Sequence, residues 1–175
     1  MKADWKKKPA GMGHDLSKWA RNRGSLTEHI MSKCGDFGVR YVRNRFGRVN
    51  IDEVSRIGVR PEESAWVREV FLCCGEKPVV FAHSVASRNS QKGSWRRLRL
   101  LGQKSLGSAF LSDPKVRREE FEFLFMSRRH PLFGKACRLM THRPERLWAR
   151  RSLFIRGKNS ILVTEVFLPE ILELA

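Results

Sequence analysis

The sequence has no apolar run near the roughly 20 residues that a membrane-spanning helix needs, no C-x-x-C pair, no H-E-x-x-H and no zinc-finger spacing. Each absence excludes something. The basic start MKADWKKKP leads into AGMGHDLSKWARNRG, which is not the apolar core of a signal peptide, so a cytoplasmic protein is expected. The histidines His14, His29, His83, His130 and His142 form no ligand cluster with the cysteines, and no metal site is expected. Cys34, Cys73, Cys74 and Cys137 read as free thiols of a reducing compartment, not as a disulfide framework; adjacent Cys73 and Cys74 would point to opposite faces of a strand. Nucleotide loops fail as well. Gly11-Met12-Gly13 lacks a third glycine and a preceding strand, while Gly157-Lys158-Asn159-Ser160 joins two strands and has Ser152 where a leading glycine should stand. A nucleophile elbow is also missing.

Acid is the scarce charge. Eighteen Asp and Glu face 35 Lys and Arg, a net +17. Such an excess invites a nucleic-acid reading, because Lys and Arg supply phosphate contacts. The cations are spread along the chain, however, at Lys6 to Lys8, Arg43 to Arg48, Arg96-Arg97, Arg117-Arg118, Arg128-Arg129 and Arg143 to Arg151, and not on one recognition helix. A positive field also steers small dianions toward a cleft, so charge alone leaves both partners open. Hydrophobic residues make 41%, and with 13 glycines the apolar class reaches the ordinary globular range. At 175 residues this is one domain. The reading divides it into a loose basic arm, residues 1–15, and a single folded unit, 16–175.

Ser25-Leu26-Thr27-Glu28 reads as a capping box opening a helix whose face carries Leu26, Ile30 and Cys34, with Gly35 as its stop. Phe37 to Arg43 alternates as a strand and turn residues follow around Asn44 and Gly47. Trp66 to Cys73 and Val79 to Ala86 form a hairpin across Gly75-Glu76-Lys77-Pro78. Helical stretches are expected at 95–101 and 105–111, and a helix start at Asp113-Pro114. Strand alternation returns at Phe121 to Phe125, an irregular, partly helical excursion fills 128–146, and Leu147 to Arg156 with Ser160 to Leu168 make a second hairpin. Hairpin, helices, hairpin gives an α+β fold with an antiparallel sheet.

Two lone charges break otherwise apolar strand faces. Glu165 shares a face with Ile161, Val163 and Phe167, and the opposite face is also uncharged, so its carboxylate is expected to be buried. Arg68 is the only charge among Trp66, Val70 and Leu72. Either these two pair with each other in the core or sit at a solvated edge, or they furnish an apolar cavity with one forked cation and one carboxylate. The second arrangement suits a small ring bearing a carboxylate and a hydroxyl.

The segments Trp66 to Val70, Leu101 to Gly107 (LGQKSLG), Leu147 to Ser152 (LWARRS) and Leu162 to Pro169 (LVTEVFLP), with Ser25-Leu26-Thr27 ahead of them, resemble the bacterial chorismate pyruvate-lyase family in content and order. The resemblance covers roughly residues 16–169. It implies an antiparallel sheet with helices over one side, enclosing the ligand. It also implies conversion of chorismate to 4-hydroxybenzoate and pyruvate, the entry to ubiquinone synthesis, with neither metal nor organic cofactor; separately, a monomer is expected. On the matching positions, Arg68 would clamp the ring carboxylate and Glu165 would meet the ring hydroxyl, making these the catalytic pair. The amides of Leu26 and Leu106 would meet the ligand as well, as free amides at a helix N-terminus can. One departure stands out: Ala82-His83 occupies a place where the family carries Gly-Arg, and His83 could meet the leaving-group carboxylate only as a hydrogen-bond donor. Two rivals remain. Ligand-sensing domains of bacterial transcription regulators resemble this fold, although no helix-turn-helix segment precedes the sheet here; a nucleic-acid partner is not expected.

Overall fold

The computed structural model describes residues 3–92, 95–96, 106 and 113–174. Its elements run α1 (His14–Arg21), α2 (Leu26–Lys33), β1 (Phe37–Gly47), α3 (Ile51–Ile57), β2 (Ala65–Cys74), β3 (Lys77–Ala86), α4 (Arg88–Lys92), β4 (Arg117–Arg118), β5 (Glu122–Ser127), α5 (Pro131–Ala136), β6 (Arg146–Arg156) and β7 (Asn159–Phe167). Short 3-10 turns follow α5 (Cys137–Leu139) and β7 (Pro169–Leu174). Every strand pair is antiparallel. The sheet order is β1-β2-β3-β7-β6, with β4 and β5 sharing the outer edge of β6. The α+β expectation holds, and both hairpins form where the alternation placed them. Gly75 and Gly157 open the two hairpin turns at φ +55° and +59°, a backbone region closed to most side chains.

The central strands β2, β3 and β7 are apolar on both faces because both faces are covered. On one face, Trp19, Ala20, Leu26 and Ile30 of α1 and α2 pack on Val70, Leu72, Val80 and Phe167. On the other, Leu132, Phe133 and Ala136 of α5 pack on Phe71, Phe81 and Val166, and Ile57 of α3 packs with Val67, Val85 and Leu162. Helices over one side only is thus corrected to helices on both. Residues 128–146 now have a role as the far-face cover, and His130 opens α5 by accepting from the Leu132 amide at 3.2 Å.

Four further expectations change. The segment read as a loose arm is docked: Lys6 and Phe123 exchange backbone hydrogen bonds of 2.9 and 2.7 Å, and the Trp5 indole donates to Asp52 at 2.7 Å. Strand β1 runs on to Gly47 through the positions expected as turn, and helix α3 follows it, the Glu53 carboxylate accepting from the Asn50 amide at 2.8 Å. Asp113-Pro114 starts a turn, not a helix, with Lys115 N–H donating to the Asp113 side chain. Cys34 and Cys74 form a disulfide, Cα to Cα 5.8 Å, while Cys73 and Cys137 are free and buried. The physical reason is register: pleating turns Cys74 away from Cys73 toward the end of α2, where Cys34 caps the helix. The expected helices at 95–101 and 105–111, and the LGQKSLG segment, lie outside the described residues except for 95, 96 and 106.

Candidate functional site

Under α2 the sheet carries a hollow. β2 contributes Arg68, Val70 and Leu72, β7 contributes Val163 and Glu165, and between them β3 offers only Ala82 and Ser84. Those two short side chains make the depression. Arg68 is opposite Ser84, which is opposite Val163; Glu165 is opposite Ala82. With β3 interposed and a two-residue offset, strand spacing puts the Cα atoms of Arg68 and Glu165 roughly 12 Å apart. The two lone charges therefore face one space from opposite ends and do not form the core pair left open by the pattern. Gly24, Leu26, Thr27, Leu106, Arg118 and Phe154 complete the lining, so the four sequence-assigned positions converge.

Glu165 has a different partner. Its side chain is 16% exposed, and Arg150 Nε, opposite it on β6, donates to Oε2 at 2.5 Å. Arg150 is wholly buried, and its Nη1 also donates to the carbonyls of Trp19, Ala20 and Asn22 at 3.4, 3.0 and 2.8 Å. One guanidinium thus fixes the carboxylate and ties the chain leaving α1 to the sheet. Phe121 lies under it, 4.2 Å from the Arg150 carbon to the ring centroid. Sequence reasoning missed Arg150, which shares its β6 face with Trp148, Ser152 and Phe154 but also with Arg146 and Arg156 at the strand ends, so the lone-charge test that found Arg68 does not single it out.

Leu26 is the first residue of α2, after the Ser25 cap whose hydroxyl accepts from the Glu28 amide at 3.2 Å. Ser25 serves the Glu28 amide, and the amides of Leu26 and Thr27 precede any carbonyl that the helix could offer them. They sit at the positive end of the helix dipole, beside the hollow. Leu106 is buried against the same space.

Arg118, on the two-residue strand β4, is the second residue the sequence reading missed, and no periodicity marks it. Burial lowers its guanidinium to about 10, with Glu165 pulling upward and Arg150 and Arg23 downward. It remains a cation at neutral pH.

His83 is not in the hollow. Pleating puts it on the far face, 2% exposed, with Nδ1 3.0 Å from Glu69 and Nε2 3.1 Å from Glu53. Burial alone would lower the imidazole, but the two carboxylates raise it to about 9. Burial would raise Glu69, which hydrogen bonds from His83 and from Lys135, at 2.6 Å, lower to about 2. The leaving-group role considered for His83 is therefore withdrawn. Ala82, its neighbour, is the residue that lines the site.

The sequence model for the family described as chorismate lyase matches residues 2–175. A relative from Nitrosospira multiformis, named probable chorismate pyruvate-lyase, is 48% identical over 174 residues, spanning 99% of this chain and 97% of the relative. One from Nitrosomonas europaea, with the same name, is 43% identical over 167 residues, 95% and 94% of the two chains. Among solved structures, the effector domain of PhnF from Mycobacterium smegmatis superposes with a TM-score of 0.58 at 11% identity, covering 85% of this chain and 91% of that one. The C-terminal domain of the histidine utilization repressor from Pseudomonas syringae gives 0.56 at 11% identity, covering 77% and 92%. These regulator domains share the fold alone. With the family model running nearly end to end and close relatives spanning the full length, the chain belongs to the chorismate lyase family.

Proposed function

We propose that this protein is a carbon–oxygen lyase that eliminates pyruvate from chorismate and releases 4-hydroxybenzoate. The observation that carries the reading is the opposed pair across the small-residue strand: Arg68 at one end of an apolar hollow, Glu165 at the other. Chorismate carries its ring carboxylate and ring hydroxyl at opposite ends of the ring, at C1 and C4, with the enolpyruvyl ether on C3 beside the hydroxyl. Arg68 offers a planar fork for the C1 carboxylate. Glu165, its Oε2 held by Arg150, accepts from the C4 hydroxyl through its remaining oxygen.

In the reaction the C3–O bond breaks and its electron pair leaves with the enolpyruvyl oxygen. The hydrogen on C4 is lost as a proton, the C4–H pair closes the C3–C4 double bond, and the ring becomes aromatic with its hydroxyl retained. The departing enol takes up a proton to become pyruvate. Aromatisation supplies the driving force, so the protein's work is to hold a reactive pose and stabilise charge at the breaking bond, without a cofactor. The Leu26 and Thr27 amides, with the net +17, favour an anionic ligand. The reading takes the protein as a cytoplasmic monomer supplying 4-hydroxybenzoate to ubiquinone synthesis, with no nucleic-acid partner. Among the described residues no helix is long and apolar enough to cross a membrane.

Mixing purified protein with chorismate and following 4-hydroxybenzoate absorbance tests this directly. Product formation at a rate proportional to enzyme is expected. Tight binding of chorismate without turnover would instead mark an acid-sensing domain and overturn the lyase reading.

A further inference from the structure

Chorismate has two carboxylates, and Arg68 accounts for one. The second hangs from the C3 ether, next to the C4 hydroxyl, so a ligand seated between Arg68 and Glu165 brings it to the Glu165 end. A carboxylate entering an apolar hollow needs a cation there or its desolvation goes uncompensated. Arg150 has 0% exposure and does not line the hollow; its Nε and Nη1 donate to Glu165 and to three carbonyls, and its Nη2, without a hydrogen-bond partner among the described residues, is buried as well. His83 is on the other face of the sheet. Among the described residues lining the hollow, the cations are Arg68 and Arg118.

We propose that Arg118 receives the enolpyruvyl carboxylate and so distinguishes the dianionic substrate from its monoanionic aromatic product; the proposal rests on the lyase reading above. The guanidinium is held in place for this. Its Nη1 donates to the Arg23 carbonyl at 2.9 Å, and its central carbon sits 4.0 Å from the Phe121 ring centroid and 5.1 Å from that of Phe154. Nε is buried and has no hydrogen-bond partner among the described residues. Nε and Nη2 form one edge of the guanidinium, and a carboxylate meets such an edge with two parallel hydrogen bonds. Arg118 and Arg150 both stack on the Phe121 ring, at 4.0 and 4.2 Å, and donate to the adjacent carbonyls of Arg23 and Asn22; since Arg150 holds Glu165, this puts Arg118 toward the Glu165 end of the hollow, where the ether would break. After cleavage the contact leaves with pyruvate, and 4-hydroxybenzoate is held by the Arg68 and Glu165 ends alone.

Arg118→Gln and Arg118→Lys separate this role from a general effect of charge. A charge-assisted hydrogen bond is worth about tenfold to 150-fold in binding. Arg118→Gln should lower kcat/KM for chorismate by that factor, leave the 4-hydroxybenzoate dissociation constant within about twofold, and be partly rescued in Arg118→Lys. Wild-type protein needs no variant for the second measurement: chorismate carrying a methyl ester on the enolpyruvyl carboxylate should bind more weakly than chorismate by the same factor. On Arg118→Gln the ester should make little further difference. Equal losses for substrate and product, or an ester that binds wild type as well as chorismate does, would overturn the assignment while the lyase reading stands. If Arg118→Gln does not fold, the ester comparison on wild type decides. Wild type that neither binds nor turns over chorismate removes both.

Discussion

Raising the pH should weaken this protein through His83, and the size of the effect follows from where that residue sits. The imidazole is buried between Glu53 and Glu69 and titrates at about 9, against an ordinary 6.5. A folded-state value above the unfolded one stabilises the protein fully below pH 6.5; that stability is lost as pH rises through 9. The difference of roughly 2.5 units corresponds to about 3 kcal/mol, a large part of the 5–15 kcal/mol typical of a domain. Glu69 gives the opposite edge: depressed to about 2, it contributes above its ordinary value near 4.5 and loses that contribution only in strong acid. Urea unfolding at pH 6, 7, 8, 9 and 10 should show stability falling across the upper interval. The raised thiols of Cys73 and Cys137 add a decline of the same sign at the alkaline end. The comparison with His83→Gln isolates the histidine. That variant leaves two buried carboxylates without their shared cation, should cost about 3–5 kcal/mol at pH 7, and should lose most of the slope. Because His83 is on the far face, folded His83→Gln should keep kcat/KM for chorismate within about twofold. Wild-type stability flat between pH 6.5 and 9.5, or an imidazole titrating near 6.5 by NMR, would refute the reasoning.

Other perturbations address the hollow and its supports. Arg68→Lys keeps the charge but loses the planar fork, and should weaken both chorismate and 4-hydroxybenzoate by about 1.5–3 kcal/mol in calorimetric titrations. Glu165→Gln keeps shape and an acceptor, so turnover should fall by more than product affinity does; equal losses would mean that Glu165 serves only ground-state binding. Arg150→Met strips Glu165 of its partner and leaves the carbonyls of Ala20 and Asn22 unserved, and should cost about 3–5 kcal/mol in thermal or urea unfolding. Reducing the Cys34–Cys74 bond, which links residues 40 apart, should remove roughly 4 kcal/mol on the chain-entropy account, read as a drop in melting temperature absent from the Cys34→Ser variant.

Much of this was legible because strand periodicity is a local signal. A single charge on an apolar face marked Arg68 and Glu165, the Ser25 cap marked the start of α2, and Gly75 and Gly157 marked the two hairpins, each from residues within ten positions of one another. Helix α3 has a local signal as well, in Asn50 followed three residues later by Glu53, although alternation alone does not mark it. What alternation cannot report is which strand lies beside which. The interposition of β3 between β2 and β7 decided that Arg68 and Glu165 face each other across Ala82 and Ser84 and do not pair, and the β6–β7 register gave Glu165 to Arg150. The disulfide, the far-face seat of His83 between Glu53 and Glu69, and the arrival of Arg118 at the same hollow as Glu165 likewise join residues 14 to 47 positions apart. The sequence by itself determined the elements and the charges they carry, since a strand's two faces follow from its own pleat. Only the tertiary structure decided their partners, because pairing and register are settled by burying both faces of the whole sheet at once.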